Sequence, residues 1–219
     1  MLMPLKPIAK LMVCNFYAKG IMTMFNKKTF IHLSLALLLV TAASSSFAAR
    51  SLETNLSNDT VQVEFDTKLP STANLFVNAS LLYTEEHDDH SAVVGTLGFQ
   101  GVETDNATYR AAVGGRLYLY DYGSLNGAAI AVGGLFYHTI PGAQRLSAGG
   151  YAWFAPQVTS FGDTEQIYEL GGRVAFRVIQ NTDIFVGYRY LKVKNEKHGK
   201  NSFNEALEKG LHVGFRLNF

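Results

Sequence analysis

The sequence is poorest in cysteine, which occurs once in 219 residues, at Cys14. A lone thiol allows no internal disulfide and no cysteine-based metal centre. Charged residues make up only 17% of the chain and the formal net charge is +1, so the basic excess of a nucleic-acid binder is missing. Long apolar runs are missing too. The longest, Ile31 to Ala43, falls short of the roughly 18–20 residues that a membrane-spanning helix needs. Past residue 70 no segment carries a helical stripe, which excludes a helical bundle.

Acidic residues are absent from residues 1–48, where Lys6, Lys10, Lys19, Lys27 and Lys28 lie. The remainder holds fourteen Lys and Arg against all eighteen Asp and Glu, a net of −4. The front segment therefore reads as a different kind of object. Met24-Phe25-Asn26-Lys27-Lys28 is a positive n-region, IHLSLALLLVTAA an apolar h-region, and Ser46-Phe47-Ala48 a small-residue cleavage site. Residues 1–48 are thus expected to be an N-terminal extension and signal peptide, cut after Ala48. The first twenty or so residues exceed a normal n-region, so Met22 or Met24 is a more natural start. Cys14 resembles a lipobox cysteine only loosely, and it would be lost with this segment.

What the rest has is alternation, broken every 8–15 residues by Gly, Asn, Asp, Ser and Pro. In GLHVGFRLNF, Leu211, Val213, Phe215, Leu217 and Phe219 oppose His212, Gly214, Arg216 and Asn218. Tyr168, Leu170, Val174, Phe176 and Val178 oppose Glu169, Arg173 and Arg177. Ile184, Val186, Tyr188 and Tyr190 oppose Asp183, Gly187 and Arg189. Tyr109, Ala111, Val113, Leu117 and Leu119 oppose Arg110, Gly114, Arg116 and Tyr120. A soluble sandwich also alternates, but its strands average five or six residues, whereas these run 10–14, the length that crosses a bilayer when tilted. The polar face is rich in Gly and Arg, as a narrow lumen would be. Backbone groups in lipid need partners, so such a sheet must close.

The expected fold is therefore all-β: a transmembrane antiparallel up-and-down β-barrel. Strands are predicted at 74–84, 91–101, 109–120, 127–138, 147–158, 165–179, 182–193 and 207–219. Eight strands put both termini on the periplasmic side. The barrel would occupy 74–219, with 49–73 a periplasmic lead-in or first strand. The alternating run Val61-Gln62-Val63-Glu64-Phe65 leaves ten strands open, with a partner near 50–58. Strands 127–138 and 147–158 are apolar on both faces, so their orientation is not fixed. Pro156, beside Trp153 and Phe154, marks a bulge or strand end. Tyr118, Tyr120, Tyr122, Tyr188, Tyr190, Phe215 and Phe219 are expected to form the interfacial aromatic girdles. Phe215, Leu217 and the terminal Phe219 resemble the signal read by the outer-membrane assembly machinery.

Several stretches resemble the YfaZ-type outer-membrane proteins of Gram-negative bacteria. They are Leu75 to Asp89, Ala112 to Tyr120, Gly127 to Gly134, Tyr151 to Glu169, Val186 to Tyr190 and Phe215 to Phe219, within a likeness covering most of 60–219. The resemblance implies an outer-membrane location and a barrel. It implies no particular activity.

The lumen-facing polar residues are predicted to be Arg110, Arg116, Glu169, Arg173, Arg177, Asp183, Arg189 and Arg216. Rings of Arg favour anions, which would suit a narrow porin-like channel. The plainer reading is a salt-bridged polar core that plugs the barrel, since a buried Arg needs a carboxylate or carbonyl. The excess of Arg over acid keeps the channel open as an alternative. Catalysis as an outer-membrane lipid or peptide hydrolase is the third reading. It rests on Asp88-Asp89-His90 at the outer rim, where an Asp/His set could activate water. A solvated acidic loop is more ordinary. His138 and His212 are isolated, and no metal or nucleophile spacing accompanies them. The sequence thus points to a non-enzymatic barrel, monomeric, without cofactor or nucleic-acid partner. Its surroundings would be outer-membrane lipid and lipopolysaccharide.

Overall fold

The computed structural model describes residues 50–69, 74–85, 91–105, 108–122, 125–195 and 206–219. The signal-peptide segment, the Asp88-Asp89-His90 site and most of the last polar loop lie outside these residues. Among the described residues the strands are β1 (Arg50–Leu56), β2 (Thr60–Lys68), β3 (Leu75–Glu85), β4 (Ser91–Asp105), β5 (Tyr109–Tyr122) and β6 (Leu125–Thr139). They continue as β7 (Leu146–Ala155), a short β8 (Ser160–Gly162), β9 (Gln166–Ile179), β10 (Thr182–Lys194) and β11 (Ala206–Asn218).

Each long strand pairs antiparallel with the one before it. Closure comes from β1, which takes β11 on one side and β2 on the other. Ser51 lies opposite Asn218, and Leu56 opposite Val213. On the far side β5 pairs with β6 along its whole length. Every one of the ten long strands therefore has two neighbours, and the sheet is a closed barrel.

The count corrects the expected eight to the ten that had been left open. The run Val61–Phe65 is the middle of β2, and its partner is the 50–56 segment. Of the stretch 49–73, expected to be a lead-in or first strand, Arg50–Leu56 and Thr60–Lys68 are strands of the wall. The added hairpin is the shortest of the barrel, closed by a Ser57 N–H to Thr60 C=O bond of 2.9 Å.

The alternation sorts the side chains as expected. Outward positions carry Phe99, Val113, Val132, Phe136, Leu170, Val174, Ile184, Leu211 and Val213, all exposed. Val113 reaches 70% exposure and Leu211 71%. A soluble protein does not leave an apolar band around most of its circumference in water. The doubtful strands now have a direction. Ile130, Val132 and Phe136 of β6 and Phe154 of β7 point outward, and Ala129, Ala131, Trp153 and Ala155 point inward and are buried.

Two local devices shape the wall. β7 stops at Ala155 because Pro156 follows, and the chain makes a 3-10 turn over Gln157–Thr159 before β8 joins β6 through Ala129 to Ser160. The β6–β7 turn carries Pro141 and then Gly142 at φ 83°, with Ala143 N–H bonded to Ile140 C=O at 3.0 Å. Pro at the second and a positive-φ Gly at the third position are the residues a type II turn demands.

The expected girdle is partly wrong. Tyr188 and Phe215 do face out and Phe219 stands past the end of β11 at the rim, but Tyr118 and Tyr120 are buried in the lumen, at 1% and 5% exposure. They share the inward face of β5 with Arg116, two and four residues away, so the alternation itself placed them there.

The closure is testable because the barrel segment has no cysteine. With Cys14 replaced by Ser, Leu52→Cys and Leu217→Cys sit opposite each other in the β1–β11 register. Such pairs have Cα atoms about 4.5–5.5 Å apart, within disulfide range. Oxidation is expected to cross-link the folded protein nearly completely. Failure to cross-link while folded would return residues 50–68 to a position outside the barrel.

Candidate functional site

The lumen is filled, and it is filled in layers. Call the end of the barrel that carries Arg50 and Asn218 the terminal rim, and the other the far rim. Next to the far rim an apolar cluster fills the lumen, with the buried Thr60 and Thr84 hydroxyls bonded to each other at 2.9 Å on the same rim. Leu82, Val94, Tyr118, Trp153, Ile167 and Leu191 pack there as one buried cluster. Leu207 joins it because a register shift of β10 against β11 at Leu191/Lys192 turns this residue inward. The polar ends of the tyrosines are satisfied. Tyr118 donates to Glu169, and Thr164 Oγ1 donates to Tyr120 Oη at 3.1 Å.

Below this plug lies a ring of charge. Glu53 Oε2 accepts from Arg173 Nη1 at 2.7 Å and from Arg216 Nε at 2.9 Å. Arg216 reaches on to Asp66 at 3.8 Å, and Asp66 accepts from Asn78 Nδ2 at 2.9 Å. Asn78 Oδ1 accepts from Arg116 Nη2, and Arg116 Nη1 meets Glu169 Oε2, both at 3.3 Å. Glu169 also lies 3.9 Å from Arg189, which donates to Glu208 at 3.0 Å and to Gln62. Asn55 Nδ2 then donates to Gln62 at 2.8 Å and to Glu53 at 3.3 Å, which closes the circuit. Seven strands contribute to it.

The guanidiniums also stack on rings. Arg116 lies 4.5 Å from the Trp153 centroid, tying the ring to the plug, and Arg173 lies 4.5 Å from Tyr137 and 4.7 Å from Phe185. Glycine makes the space. A Cβ at Gly187 would come within 2.6 Å of the His212 ring, and one at Gly214 within 2.5 Å of Phe185. The Gly and Arg of the inward face are therefore one device: the strands give up side chains where long ones cross.

The eight residues expected on the inward face fall into two groups. Arg116, Glu169, Arg173, Arg189 and Arg216 meet in the ring. Arg177 and Asp183 pair with each other at 3.3 Å nearer the terminal rim, where Arg177 is half exposed. Arg110 stands there too, over the Phe76 ring at 5.2 Å. Sequence reasoning missed Glu53, Asp66 and Glu208, the acids that balance the arginines. The signal was present in Val61–Phe65, whose polar positions are Gln62 and Glu64. His212 is buried in the lumen beside Phe185. Among the described residues no three His, Cys, Asp or Glu side chains gather as metal ligands.

A protein-family model described as YfaZ precursor matches residues 27–219, and the chain belongs to that family. No curated protein matches it. Two solved structures are similar in shape. One is described as a bacterial polysaccharide outer membrane secretin, at 13% identity and a TM-score of 0.44, covering 76% of this chain and 57% of that one. The chain thus spans little more than half the length of that structure. The other is described as KdgM porin, at 11% identity and a TM-score of 0.38, covering 78% of this chain and 96% of that one. Neither likeness is close enough to assign a role.

The ring should dominate stability. Removing one partner of a buried, hydrogen-bonded ion pair costs about 3–5 kcal/mol, whereas exposed pairs contribute about 1 kcal/mol or less. Glu169→Ala is therefore expected to lower the unfolding free energy by about 3 kcal/mol or more. Arg177→Ala is expected to change it by under about 1 kcal/mol. Urea titration of the folded protein in lipid vesicles measures both, and equal small losses would show that the ring is not the stabilising core.

Proposed function

We propose that this member of the YfaZ precursor family is a small outer-membrane barrel that does not conduct, with a structural or surface-interaction role. The observation that carries the reading is the filled lumen: an apolar plug stacked on a closed circuit of ion pairs. In a ten-stranded barrel the interior is wider than in an eight-stranded one, and only large side chains can fill it. Arg, Tyr, Trp and Phe do so here. The exposed apolar band supports placement in a membrane, and the family supports export. With both termini on the periplasmic side, the terminal rim faces the periplasm and the far-rim loops face out, toward lipopolysaccharide. Phe215 and Leu217, on the outward face of the last strand, and Phe219, past its end, are then available to the assembly machinery during insertion.

The narrow anion-channel alternative rested on an excess of arginine over acid in the lumen. The acids of β1, β2 and β11 remove that excess in the ring, so a conducting state would have to break buried ion pairs and unpack the plug. A hydrolase reading gains no support from the lumen, whose one histidine of note, His212, stands among Arg and aromatic side chains.

The protein from residue 49 onward, folded in detergent, should migrate differently on a gel before and after boiling. In planar bilayers it is expected to give no steady current steps. Steps selective for anions would overturn the closed-barrel reading in favour of a porin. Solubility without detergent, with no change on boiling, would overturn the membrane placement itself.

A further inference from the structure

The ring leaves one part of the lumen open. At the terminal rim lies a cavity of about 420 Å³, bounded on the inside by the ring itself. Its wall carries Arg110, Arg145, Arg173, Arg177 and Arg216. Two of these, Arg173 and Arg216, belong to the ring and are held by Glu53. The ring needs nothing more from the rim. Its four arginines already face Glu53, Glu64, Asp66, Glu169 and Glu208, carboxylates within the same layer. The other three, Arg110, Arg145 and Arg177, share one carboxylate side chain among the described residues of the cavity wall outside the ring, Asp183.

Three guanidiniums stand around one small cavity: Arg177 pairs with Asp183, Arg145 is exposed on its rim turn, and Arg110 has no carboxylate side chain of its own among the described wall residues. The Nε of Arg110 makes the point at atomic level: it is buried and has no hydrogen-bond partner. Buried donors on charged groups are costly to leave unmade. The neutral lining is also that of a binding site. Phe76, Tyr137 and Phe185, each with a guanidinium over one face, line it with Ser51, Gln144, Ser147 and Asn218, which offer hydroxyls and amides. The volume lies in the range of small-molecule sites.

We propose that this vestibule binds a hydroxylated, sugar-sized anion whose carboxylate or phosphate groups are taken by Arg110, Arg145 and Arg177. Planar guanidiniums bind both groups in the same bidentate fashion, so the pocket's chemistry covers either. The hydroxyls and amides would take the hydroxylated body. The cavity is blind, so the ligand enters and leaves by the terminal rim and does not cross the barrel. The blind end rests on the closed-lumen reading proposed above, whereas the binding itself rests on the cavity and its arginines.

Isothermal titration of the detergent-folded protein with glucose 6-phosphate, glucuronate and glucose tests it. Saturable one-site binding is expected for at least one of the two anions and none for glucose. The tighter anion identifies phosphate or carboxylate as the natural group. Affinity should fall at least tenfold in Arg110→Gln/Arg145→Gln, and in the single variant Arg145→Gln, whose side chain lies on a rim turn outside the strands, several-fold. Lys209→Gln, on the outer wall, should leave it unchanged. Gel migration before boiling shows that each variant is folded. Glucose binding as well as the anions, no binding of either anion, or full affinity in the folded double variant would each overturn the proposal.

Discussion

A guanidinium inside a β-barrel must find a carboxylate across the lumen, and the architecture here follows from that requirement. Four arginines enter one layer of the interior from β5, β9, β10 and β11. Glu53, beside Arg216 in the β1–β11 register, accepts from it and from Arg173 of β9 at once. Without the hairpin that carries it, an eight-stranded wall would hold Arg173 and Arg216 without their partners, Glu53 and Asp66. The two added strands thus complete the charge balance of the lumen as well as its sheet.

The width that two extra strands create has to be filled. Ten strands leave more interior than short side chains can occupy, and the inward faces respond by pairing extremes of size. Glycine stands where an aromatic ring or a guanidinium passes, as at Gly187 beside His212 and Gly214 beside Phe185. Trp153 joins the two fillings, with its ring under the Arg116 guanidinium and its body in the apolar cluster. The plug lowers the local dielectric on one side of the ring, which strengthens ion pairs that are already well matched and raises the cost of breaking one.

Most of the barrel was legible in the sequence because a period of two is a direct statement of which side chains share a face. The inward arginines and the outward band came from that period, while the predicted strand 147–158 ran past Pro156, before which β7 in fact stops. The failures have physical causes too. β1 and β2 are short, seven and nine residues, and their inward positions are Ser, Glu, Asn, Thr and Gln, which read as a polar leader. Tyr118 and Tyr120 were taken for a girdle because tyrosine suits an interface. Yet they lie in register with Arg116 on β5, and in a filled lumen a tyrosine serves equally well if its hydroxyl finds Glu169 or Thr164. β6 and β7 could not be oriented from sequence, since the plug makes their inward face as apolar as the outward one.

The two ends of the lumen differ in kind, and the difference bears on function. At the far rim the interior is filled by an apolar cluster, so nothing charged could pass without unpacking it. At the terminal rim the interior is open and carries more positive charge than its neighbours neutralise. A barrel built only as a membrane staple has no use for such an asymmetry, because a plug there would leave no buried donor such as the Arg110 Nε without a partner. A channel has no use for it either, because its gradient of charge ends in a wall. A blind, cationic vestibule is the form taken by a barrel that holds something at one face of the membrane, and the electrostatics of the ring keep that vestibule from collapsing inward.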